Sequence, residues 1–189
     1  MNISRVPEID ASSFGHFYVL KVGFIIFIKI NKLEYKIKIL SDGDDKIYEK
    51  FIYNHKESMI YHSLKYKKLL LCIIKNSSAI YLGAFINNEL VGVLPAILKK
   101  TDVGCVINSL PFYGSNGGTL TVSKDSDLIK KKLYEEIKRI AIKENALSTV
   151  IIESLISIKE FYFDNDSIIF DERHSQITFF KNKNYENIE

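Results

Sequence analysis

From Leu33 to Leu40 apolar and charged positions alternate, with Tyr35, Ile37 and Ile39 on one side and Lys36 and Lys38 on the other. A period of two predicts a half-buried strand. Ser41-Asp42-Gly43-Asp44-Asp45 then supplies a turn, a helix cap and first-turn acids. A helix is expected from Asp45 to Asn54, where Ile47, Tyr48, Phe51 and Ile52 recur at helical spacing. A second helix runs roughly from Leu64 to Cys72 with Tyr66, Leu69 and Leu70 inward. From Ala79 the period changes. Ala79 to Ile86 and Glu89 to Leu98 read as two strands joined by a tight Asn87-Asn88 turn. Pro95 cannot donate to a ladder, so its strand carries a bulge there or lies partly at an edge. After a turn over Lys99 to Asp102, Val103 to Ile107 is a third strand, and Thr119 to Val122 is a further short apolar run. Ser123 to Asp127 caps the clearest helix. Its buried stripe is Ile129, Leu133, Ile137, Ile140 and Ala141, and Glu135 is spaced to pair with Arg139. Asn145 is its stop. Thr149 to Ile152 reads as a short buried strand ending at Glu153, followed by a helix over Leu155 to Phe163 and a strand over Ile168 to Phe180. The tail from Lys181 to Glu189 has no hydrophobic period and is expected to fray.

The apolar run Phe17 to Ile30 invites a membrane reading. Lys21 and Lys29, however, leave only Val22 to Ile28 uncharged, where a span needs roughly 20 residues. Its β-branched and aromatic content predicts an edge strand or a hairpin, with a peripheral membrane contact as the alternative. Residues 1–31 thus read as an appendage to one domain over 32–180, with 181–189 as a tail. A chain of 189 residues with net charge +3 suits one domain with a core. Arg5, Arg139 and Arg173 are the arginines, and basic residues alternate with acids, which argues against specific DNA binding. Cys72 and Cys105 each sit in an apolar run without a CxxC partner or a histidine at ligand spacing. They read as buried free thiols of a reducing cytoplasm, with neither disulfide nor metal site.

The stretch Ser109 to Gly118, SLPFYGSNGG, packs a proline, an aromatic pair and three of the chain's nine glycines into ten residues. Glycines here can take positive φ and open backbone N–H groups to a ligand, and they equally suit a tight turn between strands. There is no Walker-type or dinucleotide pattern.

Four stretches resemble the Fem-type (FemAB-like) aminoacyltransferases, relatives of the GNAT acyltransferase fold. Tyr61-His62-Ser63 with Tyr66 and Leu69-Leu70 resembles the family's His-x-x-x-Trp-x-x-Leu region, with Tyr66 near the usual Trp. Ala84 to Leu98, AFINNELVGVLPAIL, is similar to its hairpin. SLPFYGSNGG is similar to its S-x-P-[FY]-x-x-x-G-G loop, and Asp171 to Thr178, DERHSQIT, to its acidic-Arg stretch before Gln-Ile-Thr. The resemblance implies an α+β, GNAT-like fold, a mixed and mainly antiparallel sheet flanked by helices. It implies acyl or aminoacyl transfer to an amine in peptidoglycan or surface-sugar precursor metabolism, with acyl-CoA or aminoacyl-tRNA as co-substrate and no tightly bound cofactor. The expected partner is a small-molecule or nucleotide-linked precursor in a bacterial cytoplasm. Family members carry a second GNAT-like domain beyond this length. A partner domain or subunit would then supply the missing half, and a non-catalytic binding module or inactive half is the competing expectation.

Such a transfer needs a nucleophilic amine, a polarised acyl carbonyl and a path for the released proton. Tyr113, Ser115, Asn116, Gly117 and Gly118 are the implied ligand contacts. Glu153 at a strand end could take a proton, or be a solvated strand-end carboxylate. His62 could relay one, or be a hydrogen-bonded structural histidine. Arg173 could clamp a phosphate or carboxylate, or pair with Asp171 or Glu172.

Overall fold

A computed structural model describes residues 34–110, 117–122 and 125–153. Strand β1 (Lys36–Ile39) leads through a 3-10 turn into α1 (Asp45–Asn54), and a second turn over Ile60–His62 leads into α2 (Leu64–Ile73). Then come β2 (Ser77–Ile86), β3 (Glu89–Thr101), β4 (Gly104–Asn108), β5 (Leu120–Thr121), α3 (Ser126–Lys143) and β6 (Ala146–Val150). The sheet order is β1-β2-β3-β4-β6, with β5 paired to β3. Every pairing is antiparallel except β4 with β6. The architecture is therefore a mixed, mainly antiparallel α+β sheet flanked by helices, as the resemblance implies.

The long β2–β3 hairpin is the spine. Its turn residues Asn87 and Asn88 stand at φ 47 and 68, the left-handed pair that a two-residue hairpin turn requires. Both faces of this hairpin are covered, so its strands read as nearly unbroken apolar runs. On one face Leu82, Ala84, Leu94, Ala96 and Leu98 pack with Ile129, Leu133, Ile137 and Ile140 of α3. On the other Tyr81, Phe85, Val93 and Ile97 meet Tyr48 and Phe51 of α1 and Leu64 and Leu70 of α2.

Pro95 sits where the ladder does not need it. The Tyr81 carbonyl accepts from the N–H of Leu40, just past β1, so the Tyr81–Pro95 pair exchanges no hydrogen bonds and the proline nitrogen faces away from β2. On that far side β5 pairs with Gly92 and Val93 and the pairing with β4 reaches only to Ile97, which leaves Pro95 in the interval between them. The register shift lies at Ala84/Phe85 instead.

Five expectations need correcting. Leu69 is 51% exposed: a run of three leucines leaves the helix face undecided, and burial of Leu64 and Leu70 turns Leu69 out. Cys72, on the same outward side, is exposed, while Cys105 is buried. Ile47 belongs to the exposed side of α1. Arg139 pairs with Glu136, not Glu135, its fork meeting both carboxylate oxygens at 2.6 and 2.8 Å. The last described strand begins earlier than expected and is mostly exposed, because β6 pairs only with β4 among the described strands. Residues 1–31, the helix over Leu155 to Phe163 and the strand over Ile168 to Phe180 lie outside the described residues.

Leu133, fully buried under the sheet, is expected to cost about 2–5 kcal/mol when cut to alanine. Pro95→Ala breaks no ladder bond, but it leaves a small void at a buried position and adds an N–H facing the interval between β4 and β5, and is expected to cost about 1–2 kcal/mol. Urea unfolding of the two variants measures the contrast.

Candidate functional site

Strands β4 and β6 run in parallel register from Cys105/Ala146 to Asn108/Val150 and then part. Ser109 marks the point. Its N–H still donates to the Val150 carbonyl at 2.9 Å, but Ile152 N–H donates to the Ser109 hydroxyl at 2.7 Å, where a continuing strand would offer a carbonyl. Leu110 leaves the strand at φ 49. A divergence of parallel neighbours beyond their carboxyl ends is where α/β sheets place ligands.

The glycine stretch returns into this divergence. A Cβ on Gly117 would lie 1.7 Å from Leu110 Cδ1, and one on Gly118 would lie 2.6 Å from Glu153 Cα and 2.7 Å from the Ile152 carbonyl oxygen. The two glycines are therefore wedged between the ends of β4 and β6. Their absence of a side chain serves close backbone approach; among the described glycines only Gly104 has positive φ.

A polar cluster lies beside the wedge. Glu153 Oε1 accepts the Thr119 hydroxyl at 2.9 Å, the Thr119 N–H at 3.4 Å and the Tyr134 hydroxyl. Its Oε2 lies 3.3 Å from Lys130 Nζ, with the two side chains 17% and 11% exposed. Thr119 and Tyr134 are buried and also join hydroxyl to hydroxyl at 3.0 Å. Lys130 and Tyr134 are one helical turn apart on α3, so both reach the same carboxylate. Burial, with the carboxylate of Glu153 second, pushes the Tyr134 phenol far above its ordinary range and keeps it a proton donor.

Two histidines hold the glycine segment from the α1–α2 side. His62, fully buried, accepts Met59 N–H on Nδ1 at 3.1 Å and donates from Nε2 to the Gly118 carbonyl at 3.3 Å. His55 does the same three residues along, accepting Glu57 N–H at 3.2 Å and donating to the Thr121 carbonyl at 3.1 Å. In each ring the backbone partners select the Nε2–H tautomer. Tyr48, donating to the His62 carbonyl at 2.6 Å, fixes the turn from below. Burial lowers the His62 pKa, against a smaller upward pull from its two backbone partners and from Glu153.

Of the residues singled out in the sequence, His62, Gly117, Gly118 and Glu153 converge within this one site. His62 supports the loop through backbone groups at both ring nitrogens. Glu153 is held in a hydrogen-bonded cluster, unlike a solvated strand end. Tyr113, Ser115, Asn116 and Arg173 lie outside the described residues. Thr119, Lys130, Tyr134 and Ser109 were missed. A Lys and a Tyr at i,i+4 beside the apolar stripe of α3 were the available signal. No group of three or more metal-ligating side chains occurs among the described residues.

No family model matches the sequence, and neither does any curated protein. Among solved structures, a GNAT family acetyltransferase from Staphylococcus aureus is 12% identical over 73% of this chain and 98% of its own, with a TM-score of 0.46. An aminoglycoside acetyltransferase from an uncultured soil metagenomic sample is 18% identical over 73% of this chain and 100% of its own, again with a TM-score of 0.46. A probable acetyltransferase from Staphylococcus epidermidis is 20% identical over 59% of this chain and 68% of its own, with a TM-score of 0.39. Likenesses of this size assign neither a family nor an activity to the chain.

Gly118→Ala drives a methyl group into backbone atoms that have no rotamer to yield, and is expected to cost about 1–3 kcal/mol in urea unfolding. The pH dependence follows from His62. The unfolded imidazole takes up a proton near 6.5, whereas the buried one resists it to lower pH. The unfolded chain therefore binds more protons in that window, and stability should fall as pH drops below about 6.5 toward the lowered native value. Urea midpoints between pH 7.5 and 5 are expected to decline in the native chain and to flatten in His62→Gln, which starts from a lower midpoint.

Proposed function

We propose that this chain transfers an acyl group from a thioester donor to an amine acceptor, as a GNAT-like enzyme. The observation that carries the reading is the parting of β4 and β6 with a carboxylate, a phenol and an ammonium group gathered at its mouth. The order of the motifs from Tyr61-His62-Ser63 to SLPFYGSNGG supports it. In the reaction the amine nitrogen attacks the acyl carbonyl, a C–N bond forms, the C–S bond breaks with its electron pair leaving on the donor as a thiolate that takes a proton from water, and the amine proton must leave. Glu153 is the group placed to receive it. Lys130 and Thr119 orient the carboxylate, and Tyr134, kept protonated by burial, donates to it. Backbone N–H groups of the parted strands are suited to hold the acyl oxygen.

The finer reading comes from motif order alone: FemAB-like specificity, an acceptor that is a peptidoglycan or surface-sugar precursor, a nucleotide-linked ligand at Tyr113, Ser115, Asn116 and Arg173, and a partner half. Acyl-CoA is the donor to try first, ahead of aminoacyl-tRNA. One observation favours the competing reading of a non-catalytic module. Gly117 to Thr119 already occupy the gap between the strands, and Glu153 is engaged on both oxygens.

The test is transfer from acetyl-CoA to a panel of amines, with thermal unfolding in the presence of acetyl-CoA alongside. An enzyme is expected to show a ligand-raised transition and turnover that falls about 10²–10⁴-fold in Glu153→Gln. Loss of stability in that variant without any ligand-raised transition in the native chain sinks the transferase reading and leaves a structural carboxylate.

A further inference from the structure

Helix α2 carries apolar residues in two directions. Leu64 and Leu70 are buried against the sheet, but Leu69 and Ile73 stand 51% and 52% exposed, with Cys72 exposed between them. Lys65 and Lys68 are exposed on the same outward side, one turn and one residue before Leu69. Ile60, in the turn that precedes the helix, is 75% exposed. From Ser58 to Asn88 the chain has no aspartate or glutamate, and its charged residues are Lys65, Lys67, Lys68 and Lys75. Lys67 turns aside to Asp42 and Asp45, 3.7 Å from each. Lys65 and Lys68 have no carboxylate within ion-pair distance among the described residues.

Exposed aliphatic side chains flanked by lysines that no acid neutralises fit one kind of surface well, an anionic lipid interface. There the apolar groups leave water and each lysine meets negative charge. The apolar stretch Phe17 to Ile30 has the same chemistry, with Lys21 and Lys29 and no acid between Ala11 and Leu33. Its like charge makes it a poor cover for α2. A second copy, joined through the same face, would set Lys65 and Lys68 against their own images. Charge complementarity thus points away from both and toward an anionic partner.

We propose that the outward face of α2 is a peripheral contact for an anionic bilayer. Leu69 and Ile73 enter the boundary between headgroups and acyl chains, and Lys65 and Lys68 meet lipid phosphates. This surface is separate from the parted strands, and the inference does not rest on acyl transfer.

The experiment is co-sedimentation of the full chain with vesicles of phosphatidylcholine and phosphatidylglycerol, about three to one, against phosphatidylcholine alone. Binding to the mixed vesicles, weakened by salt, is expected. Lys65→Ala/Lys68→Ala should lower it about thirtyfold, the worth of two lysines at such a surface. Leu69→Glu/Ile73→Glu should abolish it while leaving far-UV circular dichroism and the melting temperature unchanged, since both side chains are outside the core. Any of four results overturns the proposal. These are no binding to mixed vesicles, undiminished binding by either variant, a lowered melting temperature in the Leu69/Ile73 variant (the face is then covered by this chain), or a dimer that this variant dissolves without any vesicle binding.

Discussion

The arrangement depends on one steric constraint: two consecutive residues must pass between the ends of β4 and β6 with no side chain. Gly117 and Gly118 meet it, one against Leu110 and the other against the backbone of Ile152 and Glu153. With them in place, Thr119 is delivered to Glu153 and Tyr134, and the Gly118 carbonyl to His62. Any Cβ at Gly118 would push the end of β6 away and take Glu153 with it. The polar cluster and the strand divergence are thus consequences of a single packing contact.

The site is also supported unequally from its two sides. On the α3 side the supports are ionisable or hydroxyl side chains, Lys130, Tyr134 and Thr119, which converge on one carboxylate. On the α1–α2 side they are imidazoles bonded only to backbone, at Gly118 and Thr121. The first side gathers ionisable groups around one carboxylate. The second holds the segment in place, because both nitrogens of each ring are already engaged with the main chain. This division makes His62 a support of the backbone and Glu153 the centre of the side-chain cluster.

The same helices illustrate how burial and exposure are shared between functions. Helix α2 closes the second core with Leu64 and Leu70, packs Leu71 partly against it, and turns Leu69, Cys72 and Ile73 outward. Helix α3, by contrast, buries Lys130 along with its aliphatic stripe, and Glu153 sets an opposite charge 3.3 Å from its ammonium group.

Sequence periodicity and turn chemistry by themselves determined the order of the described elements, the two-residue Asn87-Asn88 turn and the aliphatic stripe of α3. Each of these is a local property: side-chain spacing selects helix or strand, and left-handed φ selects asparagine or glycine. Tertiary structure alone decided which of Leu69, Leu70 and Leu71 faces the core, that Arg139 takes Glu136, and that β6 pairs with β4 alone among the described strands. It alone brought Thr119, Lys130, Tyr134 and Glu153 together from three separate segments. It also decided why Gly117 and Gly118 are glycines, since the atoms that exclude a Cβ belong to residues 7 and 34–35 positions away. Contacts between distant segments leave no periodic trace in either partner. A residue pattern can mark such a glycine but cannot say what it packs against.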